Sequence, residues 1–298
     1  MTQTNWVADC IRRRLPEMDI SIVVIRTKGD IMQDVSLVKI GGKGVFVKEI
    51  EDALLRGDVD IAVHSMKDVP AELPDGLHIG VVPEREDPRD VLIARDNRKM
   101  ESLPRGARIG TGSLRRGMQL RNLLPDVQIV PLRGNLDTRI RKIESEGLDG
   151  VIVAAAGIRR MGWIGRVSQF IPSEVMLPAV GQGALGVEMR TDNLFLYEKL
   201  KFLNHSATSI EVGAERAFLH RLGGGCQVPI AGYAKIRGDE LVLKGLVGSL
   251  NGRDLITDEV CGSTSDYRTL GTLLAERILS QGGQDLIDQA YQGGNNVC

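Results

Sequence analysis

Over its first two thirds the chain alternates short β-branched runs with segments of helical periodicity, and this alternation restricts its fold more than any other feature. The pattern is that of βαβ units, strands side by side with helices across them. "ISIVVI" (20–25), "DIAVHS" (60–65), "HIGVV" (78–82) and "DVLIA" (90–94) read as strands. Between the first two, Phe46, Ile50, Ala53 and Leu54 recur at helical spacing. A second series follows, with strands at 107–111, 127–132 and 150–157. Its helices cover 113–125, ended by Pro125, and 135–147, closed by Gly147. Two crossings rich in Pro, Gly or charge, "EREDPRD" (84–90) and "LPAVGQGA" (177–184), separate the series, and "LGVEMR" (185–190) returns to the first. Two lobes joined by two crossings enclose a cleft, where open α/β sheets place ligands.

The last third differs. A helix across 209–222 leads through "LGGGCQVP" into a β-meander with turns at "RGDE" and "GSLNGRD", and "LGTLLAERILSQGG" adds a closing helix. The expected fold class is therefore α/β, two lobes around a cleft plus a C-terminal α+β domain. The expected boundaries are 1–85 with 183–203, then 86–182, then 204–298.

Composition narrows the function. Of 298 residues, 42% are hydrophobic and 26% charged, as in soluble globular proteins. No stretch approaches the roughly 20 apolar residues of a membrane span, and the N-terminus lacks a basic-then-apolar leader. A cytoplasmic protein with no membrane partner is expected. There Cys10, Cys226, Cys261 and Cys298 are reduced, and their spacing suggests no metal site. Only 4% of residues are aromatic and the net charge is −1, so no nucleic-acid partner is expected.

Overall neutrality hides an asymmetry. Residues 105–166 hold twelve Lys/Arg against five acids, and eleven of the twelve are arginine, which suits bidentate contacts to carboxylate or phosphate. Arg115 and Arg116 follow "GTGS" at a strand-to-helix turn, where free N–H groups already favour anions. Arg133, Arg139 and Arg160 also lie just past strand ends. All five read as an anion site on the cleft rim, whereas Arg121, Arg141 and Lys142 read as solvated. One acid stands against this positive field. "DIAVHSMKDVP" presents His64, Ser65, Lys67 and Asp68 at a strand exit, and a carboxylate there can stabilise a developing cation. "KIGGKG" (39–44) reads as a glycine loop that binds anions, without the form of a nucleotide loop. Cys226, directly after three glycines, is either a small apolar filler or a thiol set where a bulky group can stand beside the backbone.

"GGKGVFVKE", "DIAVHSMKDVP", "EREDPRD", "GTGSLRR", "LRGNLDTR", "LPAVGQGA" and "LGGGCQVP" stand in an order and spacing that resemble the porphobilinogen deaminase family, over nearly the whole chain. The resemblance implies two periplasmic-binding-protein-like lobes and a dipyrromethane cofactor joined to Cys226 by a thioether. It implies that four porphobilinogen molecules are added head to tail onto that primer, each losing ammonia, before hydrolysis frees 1-hydroxymethylbilane. Each substrate ring brings two carboxylates, which would explain an arginine-lined cleft. By resemblance Arg115, Arg116, Arg133, Arg139 and Arg160 bind these carboxylates with Ser65, Lys67, Thr111 and Ser113. Lys39, Lys43 and Phe46 belong to a loop over the cleft, and Asp68, aided by Lys67, is catalytic. The family expectation is a monomer.

Two departures accompany the resemblance. Family members begin with a strand and an Arg-x-Ser turn, whereas "MTQTNWVADCIRRRLP" starts inside the following helix, so a longer natural protein is expected. Gly112 stands where the family more often has a hydroxyl residue. The alternatives are a truncated, inactive homologue or an anion- or solute-binding protein of the same fold.

Overall fold

The computed structural model describes residues 1–27, 47–225 and 228–296, with side chains as far as 293. The expectations at Lys39, Lys43, Phe46 and Cys226 lie outside the described residues.

Helix α1 (Thr2–Arg14) buries Val7, Ala8 and Ile11 on one face. Helix α2 (Lys48–Arg56) buries Glu51, Ala53 and Leu54 and is closed by Gly57 at φ 78°, a left-handed conformation that glycine adopts without strain. Strand β1 (Ile61–Ser65) alternates inward and outward, then breaks into a 3₁₀ turn, Met66–Asp68. Strand β2 (Leu77–Val81) follows.

The second lobe contains β3 (Asp90–Ala94), β4 (Arg108–Gly110), α3 (Leu114–Leu123), β5 (Gln128–Val130), α4 (Leu136–Ser145), β6 (Gly150–Ala154), α5 (Ala155–Arg160) and β7 (Gln169–Ile171). Its sheet runs β5-β4-β6-β3-β7. β4 is parallel to β5 and β6, while β3 is antiparallel to β6 and β7. Side chains start both long helices: Ser113 Oγ accepts from the N–H of Arg116, and Asn135 Oδ1 from that of Thr138.

Strand β8 (Leu185–Arg190) returns to the first lobe and pairs antiparallel with both β1 and β2, in the order β1-β8-β2. Helix α6 (Leu194–Leu200) then covers that lobe together with α1, packing Leu196 and Leu200 against Val7 and Ile11. The C-terminal region is α+β. Helix α7 (Ser206–Arg221) packs on a meander of β9 (Ile230–Arg237), β10 (Glu240–Gly248) and β11 (Leu255–Ser263). Helices α8 (Tyr267–Ile278) and α9 (Gln284–Asn296) complete it. Phe218 of α7 is fully buried here, and a Cβ at Gly245 would stand 2.6 Å from its ring, so glycine in β10 lets helix and sheet close up.

The structure differs from the sequence reading in several places, among them Arg121, read as solvated, which is partly buried and donates to the Leu250 carbonyl at 2.8 Å. The run 20–25 forms no strand: a strand exists only through a ladder, none of β1, β8 or β2 pairs with it, and Val23 and Val24 are 58% and 67% exposed. The strand read over 150–157 stops at Ala154, where an Ala-rich segment with high helix propensity turns into α5. The first-lobe strands pair antiparallel, not in the parallel order of βαβ units, because the returning β8 lies at the sheet's centre. The closing helix begins at Tyr267, three residues early, and continues through a π turn at Leu279–Gly283 into α9. Gly282, at φ 96°, permits that kink.

His64 also departs from its expected place at the strand exit. It is buried, with Nε2 2.9 Å from Glu188 Oε2. Its neighbour in this layer is Glu51 of α2, whose pKa is raised from 4.5 to about 7, chiefly by burial and then by Glu188, against a lowering from His64. A carboxyl that holds its proton more tightly when folded stabilises the fold below its ordinary pKa and loses that contribution as pH rises through about 7. Glu51→Gln is therefore expected to flatten the fall in thermal midpoint between about pH 5 and pH 8. Parallel midpoint curves for E51Q and the parent would refute it.

Candidate active site

The cleft is built from strand ends. Ser65 closes β1, and Lys67 and Asp68 lie on the 3₁₀ turn that follows. From the second lobe come Arg116 in the first turn of α3, Arg139 in α4 and Arg160 at the end of α5. A cavity of about 250 Å³ gathers Ser65, Lys67, Arg116, Arg139 and Arg160, with Gly183 of the returning crossing between them. Gln3 of α1, which sequence reasoning missed, also reaches this cavity and donates to Ser65 Oγ at 2.7 Å.

Three of these cations are held by the protein frame. Arg139 Nε donates to the Gly134 carbonyl at 2.8 Å, and Arg160 to the Gly183 carbonyl at 2.9 Å. Arg116 reaches Asp90, with Nε at 3.0 Å from Oδ1 and a second nitrogen at 2.8 Å. Burial pulls the Arg139 pKa below its ordinary value, and nearby Arg116 and Arg133 add to the lowering, while Asp68 opposes it. Arg133 and Asp68 therefore share the electrostatic neighbourhood of Arg139, although neither lines the cavity. The Lys67 ammonium is likewise lowered, first by burial and also by Arg116 and Arg115, with Asp68 and Asp90 acting the other way. Asp68 itself is exposed on the turn.

The other expected ligands are placed differently. Arg115 is buried away from the cavity and donates to Asp90 at 2.7 Å, to the Leu177 carbonyl at 2.8 Å and to Gln182 at 3.3 Å. Thr111 is buried and accepts from the N–H of Ser113, whose own hydroxyl caps α3. At Gly112 a Cβ would stand 2.3 Å from the Leu132 carbonyl oxygen, so any hydroxyl residue there requires the backbone to move.

The node holding both arginines was not read from the sequence. Asp90 is fully buried at the start of β3, bonded to Arg115, Arg116 and Gln182. Burial alone would raise its pKa, but the attraction of Arg115 and Arg116 outweighs it and holds the carboxyl well below the usual range. Gln182 also donates to the Pro88 carbonyl at 2.6 Å, tying one crossing to the other. Beside it Arg85 pairs with the buried Glu215 of α7 at 2.6 Å, and Glu215 accepts from the Gly181 N–H at 2.6 Å. The only available signal was charge within "EREDPRD", which does not say which partner each residue takes. Among the described residues no group of three or more His, Cys, Asp or Glu could hold a metal ion, and no helix is long and apolar enough to cross a membrane.

A cleft between two α/β lobes, with cations from both converging on one small cavity beside a carboxylate-bearing turn, has the charge and size to suit a polyanionic small molecule. Residues 1–198 match the family described as porphobilinogen deaminase, dipyromethane cofactor binding domain, and residues 209–280 the porphobilinogen deaminase C-terminal domain. The porphobilinogen deaminase of Syntrophus aciditrophicus is 60% identical over 98% of this chain and 96% of its own. That of Pelobacter propionicus is 50% identical over 97% and 93%, and that of Geotalea uraniireducens 49% over 97% and 91%. A solved structure described as the probable amino-acid ABC transporter extracellular-binding protein ytmK of Bacillus subtilis overlays with a TM-score of 0.42 at 13% identity, covering 68% of this chain and 79% of that one. The chain belongs to the porphobilinogen deaminase family, enzymes of tetrapyrrole biosynthesis with a dipyrromethane cofactor.

The residues present suit such a group. Dipyrromethane rings bearing acetate and propionate need several cations facing one space, and Lys67, Arg116, Arg139 and Arg160 supply them. The Arg139 pKa is lowered first by burial and then by Arg116 and Arg133, and bound carboxylates would offset both effects.

Proposed function

We propose that this chain condenses four porphobilinogen molecules head to tail and releases 1-hydroxymethylbilane, with Cys226 as the point of cofactor attachment. The observation that carries the reading is the convergence of Lys67, Arg116, Arg139 and Arg160 beside the turn bearing Asp68. When bound, the dipyrromethane supplies a covalently held ring with a free α-carbon to which the first substrate is joined.

In each addition the aminomethyl C–N bond of porphobilinogen breaks and ammonia leaves. A C–C bond to the chain's terminal α-carbon forms, and that carbon then loses its proton. Asp68 provides the negative charge toward which the pyrrole's developing positive charge is drawn. Arg116, Arg139 and Arg160 hold ring carboxylates, with Arg133 adding to the field around Arg139. Lys67 and Ser65 present donors from the first lobe, and Gln3 orients the Ser65 hydroxyl. Arg115 acts through Asp90, by keeping Arg116 in place. The primer would stay on Cys226 while hydrolysis freed the finished tetrapyrrole as 1-hydroxymethylbilane.

The proposed domains are 1–85 with 183–203, 86–182, and 204–298, acting as a monomer. The test is the intact mass of the purified protein together with a map of its peptides. The expected mass exceeds that of the polypeptide by one dipyrromethane, with the adduct on the peptide containing Cys226. An unmodified Cys226 in protein that makes hydroxymethylbilane would overturn this assignment.

A further inference from the structure

Arg216 lies on α7, in the C-terminal region, yet its guanidinium reaches the first lobe. There it donates to three consecutive backbone carbonyls: Pro70 at 2.8 Å, Ala71 at 3.2 Å and Val69 at 3.4 Å. These are the residues directly after Asp68. From these contacts we propose that Arg216 is a positioning residue for the condensation: it sets the backbone of the turn that carries Lys67 and Asp68 beside the cleft.

The turn needs an outside support. Its closing hydrogen bond, from the N–H of Val69 to the Met66 carbonyl, is long at 3.3 Å. Pro70 has no N–H to add another. Upstream, the Met66 N–H donates to the Ala184 carbonyl at 3.0 Å, which anchors the turn's start to the returning crossing. Gly181 of that crossing, at φ +70°, packs so closely that a Cβ would stand 2.8 Å from the Met66 Cβ. The start is thus clamped by the crossing and the end by Arg216, with Lys67 and Asp68 between the two anchors.

The chemistry favours arginine for this task. Three consecutive carbonyls turned toward one point by a bent segment require several donors in a fixed plane, which a guanidinium offers and a single ammonium does not. Burial of the charge lowers the guanidinium pKa from its ordinary value, with Glu188 opposing that shift. The preceding residue, Glu215, holds Arg85 and Gly181. Two adjacent residues of one helix therefore reference both a crossing and the catalytic turn. A cavity of about 670 Å³ borders Arg216 and Ala71 and runs to Met66, His78 and Tyr267.

This inference rests on Asp68 being the catalytic carboxylate, and the experiment separates the two. Loaded protein carrying Arg216→Ala, Arg216→Lys or Asp68→Ala is compared with the parent for kcat, KM, adduct mass and thermal midpoint. In R216A, kcat is expected to fall about 10²-fold while KM stays within about threefold, since the arginines that bind the carboxylates are untouched. R216K should lie between R216A and the parent. Added methylguanidinium should restore part of the kcat of R216A and none of that of D68A. A kcat for R216A within about threefold of the parent overturns the positioning role, as does a loss carried entirely by KM or left unrescued. Should R216A fail to fold, R216K decides, and an unchanged kcat there overturns the proposal. High activity in D68A would instead defeat the reading of Asp68.

Discussion

Asp68→Ala is expected to lower turnover by about 10²–10³-fold, the range seen when one preorganised charge is removed from a developing ion. The carboxylate stands on a turn after β1 beside Lys67 and within the electrostatic reach of Arg139. Departure of ammonia leaves the pyrrole electron-poor, and an anion close to the ring lowers that barrier in each of the four additions. Asp68→Asn sharpens the test, because it keeps the shape and removes the charge. Steady-state formation of hydroxymethylbilane, with cofactor loading checked by mass, measures the effect. A loaded D68N or D68A enzyme retaining more than about a tenth of the parental rate would sink the assignment.

The second large effect is on stability. Asp90 is fully buried between two guanidinium groups, and removing one partner of a buried ionic cluster costs about 3–5 kcal/mol. Asp90→Asn leaves Arg115 and Arg116 facing one another without a counter-charge, and it loosens Gln182, which joins the two crossings. Urea unfolding at pH 7 should show this loss directly. Acid titration gives a second signature. A carboxyl whose folded pKa is depressed contributes stability above its ordinary value of 3.8, and that contribution disappears as pH falls through the folded value. The parent should therefore lose stability in strong acid along a slope that D90N lacks. An unchanged urea midpoint for D90N would show that the two arginines do not depend on Asp90.

Much of the architecture was legible because its signals are local. The 3.6-residue period of α2, the capping residues Ser113 and Asn135, and the alternation of β1 and of the meander each lie within a dozen residues. The motifs around Lys67, Asp68 and Arg116 are equally short. Boundaries failed where local preference met a tertiary requirement. The run 20–25 has ideal strand composition and no ladder partner among the described residues, and Ala155–Arg160 followed helix propensity once the sheet ended.

The candidate site shows the same division more sharply. Sequence by itself determined which chemistry is present: an arginine-rich second lobe, one carboxylate at a strand exit, a cysteine after three glycines, and two crossings that make a cleft. Tertiary structure alone decided which arginine does what. Arg115 and Arg116 are neighbours with the same side chain, yet one is buried on Asp90 and the Leu177 carbonyl while the other also faces the cavity. It also sent His64 inward to Glu188 and brought Arg216 to the turn after Asp68, 147 positions away from Val69. Periodicity and motifs report on residues that meet within a turn or a strand. Ion pairs across crossings and lobes depend on which distant backbone the fold delivers, and no short stretch of sequence carries that information.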